Sequence, residues 1–114
     1  MSVLATFFQH QLTVKMYHFQ TKRYGAHKAA DAYLVKYTAN LDQFMEVWQG
    51  EAGTVKDTDL VVNVKTYNDS NIAQHLNSVA AFLNSFNKLS TELKAIRDVM
   101  LADLQQFKYL LIFE

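Results

Sequence analysis

Apolar residues return every three or four positions along most of this chain, the period of a helix buried on one face. Ala30, Leu34, Tyr37, Leu41, Phe44 and Trp48 form one such stripe, and Leu93, Ile96, Met100, Leu104, Phe107 and Leu111 another. Leu4, Phe7, Phe8, Leu12 and Tyr17 supply a third. The spacing predicts four helices, over about 3–22, 25–49, 72–87 and 91–113. The turn Lys22-Arg23-Tyr24-Gly25 is short, so the second helix should fold back antiparallel on the first. Gly50 and Gly53 are candidate terminators of the second helix. Asn68-Asp69-Ser70-Asn71 offers caps for the third, and Ser90-Thr91-Glu92 opens the fourth. Leu60-Val61-Val62-Asn63-Val64 has β-branched character, but one short strand has no partner here. Residues 54–70 are therefore expected to form a long connection across the bundle.

Composition narrows the class. The chain has 114 residues, which suits a single domain over 1–114, and half of them are apolar. Three glycines and no proline leave few turn formers, so the fold should be all-α. Two helical hairpins joined by a long crossover give the connectivity of a ferritin-like antiparallel four-helix bundle. The chain contains no cysteine, which excludes a disulfide scaffold and a thiolate metal site. No apolar run is long enough to span a membrane. The first eight residues lack a basic n-region and a cleavage site, so a cytoplasmic protein is expected. Acidic and basic residues balance at eleven each, giving no general attraction to nucleic acid or anionic membrane. The Lys22-Arg23 pair is too small to be a nucleic-acid footprint.

Candidate chemistry lies on the second helix. His27 and Asp31 are four residues apart, and so are Asp42 and Glu46. At 100° per residue all four fall within an arc of roughly 100°. Within one chain the pairs cannot share an ion, because Asp31 and Asp42 are about 16 Å apart along the axis. Two copies of the helix, antiparallel across a two-fold axis near residue 36 or 37, would set His27 opposite Glu46 and Asp31 opposite Asp42. Such a dimer builds two identical sites from both chains. His18, near the end of the first helix, should pack beside His27 and Asp31. The expected ligand set is His18, His27 and Asp31 from one chain with Asp42 and Glu46 from the other. Imidazoles with a majority of carboxylates suit iron(II) first, with zinc or manganese also accommodated.

These residues carry a resemblance. Leu12-Thr13-Val14-Lys15-Met16-Tyr17-His18-Phe19-Gln20 resembles the LYHWN stretch of Dps-type mini-ferritins. His27-x3-Asp31-x10-Asp42-x3-Glu46 is similar to that family's ferroxidase ligands, with the same intervals. The likeness covers the first half of the chain well, and the second half through its helix pattern. It implies a site between two-fold-related subunits, a hollow dodecameric cage, oxidation of iron(II) by peroxide or oxygen, and storage of a ferric mineral. The chain is also similar to short ferritin-like proteins of phages and large viruses. It departs from the mini-ferritin pattern in a shorter first turn, in Phe19 where tryptophan is usual, and in lacking a small crossover helix. Without a lysine-rich N-terminal tail, DNA binding is not expected.

The competing reading of the four stripe residues is a solvated helix face, where charged i,i+4 pairs are common. His18, between Tyr17 and Phe19, would then be a core histidine bonded to backbone. His10 and His75 have no comparable partners in the sequence and are expected to be structural or surface residues. Trp48 and Tyr37 are expected in the core. Glu92, Asp98 and Asp103 are expected on a solvated face rather than in a pore. An internal di-iron centre is disfavoured, since no Glu-x-x-His motif occurs. Beside the ferroxidase stand two other classes: a structural or interaction protein on the same bundle, and a zinc- or manganese-binding one.

Overall fold

Ser2 accepts the Ala5 N–H at 3.0 Å and so starts the first helix, α1 (Val3–Gln20). The structure, a computed structural model, describes residues 2–56 and 59–113. Three further helices follow: α2 (Tyr24–Ala52), α3 (Ile72–Asn84) and α4 (Thr91–Leu110). No strand occurs among the described residues. The fold is all-helical, as the periodicity predicts, with α2 packed on α1 and on α4, and α3 on α4. Among the described residues no helix is long and apolar enough to cross a membrane.

α2 sets the length of the molecule. Its 29 residues rise about 43 Å, the extent of the longest axis, 43 Å. It runs past Gly50, expected as a terminator, and stops at Gly53. That residue has φ 94° and returns its N–H to Gln49 O at 2.9 Å. The described residues between α2 and α3 form no helix or strand, and residues 57 and 58 of the connection lie outside the described residues. Its far end is fastened by Asp69. Tyr17 and Thr21 donate hydroxyls to Asp69 Oδ1, and the Lys22 N–H donates to Oδ2 at 3.3 Å. The connection thus travels from the C-terminal end of α2 back to its N-terminal end.

α3 and α4 each stop three residues before the predicted ends, and an arginine meets the freed carbonyls in both cases. Arg97, buried on α4, donates through Nη1 to Leu83 O at 3.0 Å and Phe86 O at 3.2 Å. Arg23 in the first turn donates through Nη1 to Leu111 O at 2.8 Å.

The core is aromatic. Phe7 meets Phe44 and Phe82 edge-on at 5.3 and 5.4 Å, and Tyr33 stacks on Phe107 at 4.7 Å. Tyr37 is buried and Trp48 partly so. One predicted core position is corrected: Leu12 is 46% exposed. His10 and Val14 face inward, and Leu12 lies two residues, about 200°, from each of them. Leu4, Phe8 and Leu111 are half-buried.

Candidate metal centre

The short first turn brings the last residues of α1 against the first turn of α2, and with them two imidazoles. His18 Nδ1 bonds His27 O at 2.8 Å, and His27 Nδ1 bonds His18 O at 2.8 Å. A carbonyl only accepts, so each Nδ1 carries its proton and donates. In the neutral imidazole each Nε2 then keeps its lone pair. The rings stack with centroids 3.9 Å apart and planes 16° apart. A ligating histidine commonly has its other N–H held by a backbone carbonyl in this way, which fixes tautomer and ring orientation. His18 is buried and His27 half-buried. Tyr24 lies over His27, and Phe19 leans on His18.

The three carboxylates lie along the outer face of α2. Asp31, Asp42 and Glu46 are exposed, and among the described residues none makes a hydrogen bond or ion pair within the chain. Val35, between the two pairs, is 69% exposed, and Leu12 and Phe19 on α1 and Tyr24 at the start of α2 are also exposed. Among the described residues no three histidine, aspartate or glutamate side chains gather closely enough to hold a metal within one chain. The structure thus joins His18 to His27, and leaves Asp31, Asp42 and Glu46 spread along a face without intramolecular partners.

A family model matches residues 18–111, most of the chain. The chain belongs to a family of unknown function, DUF5856. The match takes in His18, His27, Asp31, Asp42 and Glu46, and stops short of His10. No curated protein and no solved structure matches the chain.

A second cluster escaped the sequence reading. His10 is wholly buried on α1, its Nδ1 2.9 Å from His75 Nε2 on α3 and its Nε2 2.7 Å from the Tyr33 hydroxyl on α2. Tyr67 lies over His75. The chain of bonds works in either sense, because the hydroxyl both donates and accepts. Burial, then the neighbouring His75, pushes the His10 pKa well below the usual imidazole range. Burial and then Lys65 lower His75 to about 4. Burial raises the phenols of Tyr33 and Tyr37, with Asp103 and Tyr33 respectively adding to it. The partners lie 65 and 23 residues away, a separation no local pattern reports. The one local signal was phase: His10 sits three residues after Phe7 and four before Val14, on the core stripe.

Of the acidic residues on α4, Asp98 is exposed and accepts from Arg97 Nε at 2.8 Å. Asp103 accepts from Asn40 at 2.8 Å, and Glu92 lies exposed in the first turn.

Proposed function

We propose that this chain is a ferritin-like, mini-ferritin-type protein that takes iron(II) as substrate between two-fold-related copies and oxidises it with peroxide or oxygen. The observation that carries this reading is the reciprocal clasp of His18 and His27, which directs the protons to Nδ1 and leaves both Nε2 atoms as donors. The donor set fits: two neutral imidazoles and three carboxylates suit iron(II), and hard carboxylates favour the ferric product. The reading requires a second copy, since Asp42 and Glu46 are too far along α2 to join His27 and Asp31 in one chain. The unpartnered carboxylates and the exposed Val35 between them support an antiparallel α2 seam. His18 and His27 would hold and orient the ion, while Asp31 and the partner's carboxylates balance its charge. The same reading carries a dodecameric cage, no DNA binding and a cytoplasmic setting, the host's if the protein is viral.

The test is anaerobic titration of the apo-protein with iron(II), followed by admission of peroxide or air, with ferric absorbance and light scattering read on one sample. Saturable binding, oxidation faster than buffer and a shell-sized particle are expected. Asp42→Ala should lose tight binding with the helical fold intact, and Val35→Glu at the seam centre should lose both dimer and site. Stoichiometric binding retained by Asp42→Ala would refute the shared site. Preference for zinc or manganese without oxidation would assign the same ligands to a non-redox role.

A further inference from the structure

The connection between α2 and α3 holds the one run of β-branched residues that no helix absorbs, Leu60-Val61-Val62-Asn63-Val64. From residue 60 to residue 68 it forms neither helix, turn nor strand ladder. Leu60 and Val62 are half-buried, while Val61 (71% exposed), Asn63, Val64 (40%) and Lys65 are exposed. Among the described residues, the main chain from 59 to 67 makes no hydrogen bond. This is a stretch of β-branched chain with its backbone donors and acceptors unclaimed, the feature through which chains add strands to one another.

We propose that residues 59–65 pair with the same residues of a second copy, as an antiparallel two-stranded ribbon centred on Val62. A two-fold contact must be self-complementary, and this segment is. With Val62 opposite itself, Leu60 meets Val64, Val61 meets Asn63, and Asp59 meets Lys65 at both ends. Asp59 and Lys65 are both exposed, and neither has an ion-pair partner among the described residues. The pairing supplies one to each. A slip by one residue would part Asp59 from Lys65 and set half-buried Val62 against an exposed neighbour. Opposite-charge and β-branched cross-strand pairs both favour such a ladder. The inference stands on this segment alone and does not depend on the metal reading.

Because the chain has no cysteine, a single Val62→Cys substitution reports the contact directly. Directly opposed residues in an antiparallel pair have Cα atoms about 4.5–5.5 Å apart, within the reach of a disulfide. Under mild oxidation Val62→Cys should form a covalent dimer at protein concentrations where Val99→Cys, exposed on α4, stays monomeric on a non-reducing gel. In sedimentation, Asp59→Lys and Lys65→Asp should each weaken self-association about tenfold, and the double reversal should restore it. These positions lie outside every helix, so unchanged circular dichroism separates lost contact from lost fold. Crosslinking of Val62→Cys no faster than of Val99→Cys, or a double reversal as weak as the single ones, would overturn the proposal.

Discussion

His10 shows how one residue can serve the core and resist acid at the same time. It fills a core position between Phe7 and Val14, and its two nitrogens satisfy groups on α2 and α3. Such a residue stabilises only while neutral. The unfolded chain takes up protons at imidazole near 6.5, whereas folded His75 waits until about 4 and His10 lies well below its usual range. Between those values the unfolded state binds more protons, so stability is complete above about pH 6.5 and drains away as pH falls toward 4. Urea midpoints measured across that window should fall with acid, and His75→Leu should reduce the slope. A flat profile would mean the pair is not buried in solution. The histidines near the first turn differ in kind, because each Nδ1 is spent on a carbonyl and each Nε2 is kept.

At the scale of elements, the glycines of α2 separate two roles that look alike in sequence. Both Gly50 and Gly53 have open space where a Cβ would go. Gly50 is ordinary helix, so Gly50→Ala should raise stability by about 0.5–1 kcal/mol. Gly53 turns the chain at φ 94°, so Gly53→Ala should lower it by about 1 kcal/mol. Urea unfolding of the two variants should move in opposite directions, and a shift of the same sign would place the end of α2 elsewhere. The four helices were legible because their apolar stripes are local and strongly periodic. The ends of α3 and α4 were not, because Arg97 and Arg23 reach them from 14 and 88 residues away. Leu12 misled by composition: a leucine at the wrong phase faces water, while a histidine at the right one is buried. Of the candidate centre, the sequence placed the His18–His27 neighbourhood, since a turn of few residues leaves little choice. It could not show the reciprocal carbonyl bonds, nor pair His10 with His75 across 65 residues.

For the molecule as a whole, the α1–α2 hairpin is built from contacts near in sequence, whereas α3 and α4 must be returned to it along residues 53–71. Asp69 is where that return is secured. Burial opposes its charge, but the Thr21 and Tyr17 hydroxyls and the Lys22 N–H outweigh that and hold its pKa below the usual carboxylate value. Its partners Tyr17 and Thr21 are 52 and 48 residues distant. The hairpin can therefore assemble before the latch closes. Local contacts dominate early assembly, and interactions made after the transition state act on unfolding rather than folding. Asp69→Ala should therefore leave the refolding rate nearly unchanged in stopped-flow measurements and speed unfolding. Slowed refolding would instead place the closure of Asp69 before the barrier. By that argument the carboxylate sets the native state's lifetime more than its route of formation: a single side chain at the end of a long connection acts as the clock for the bundle's opening.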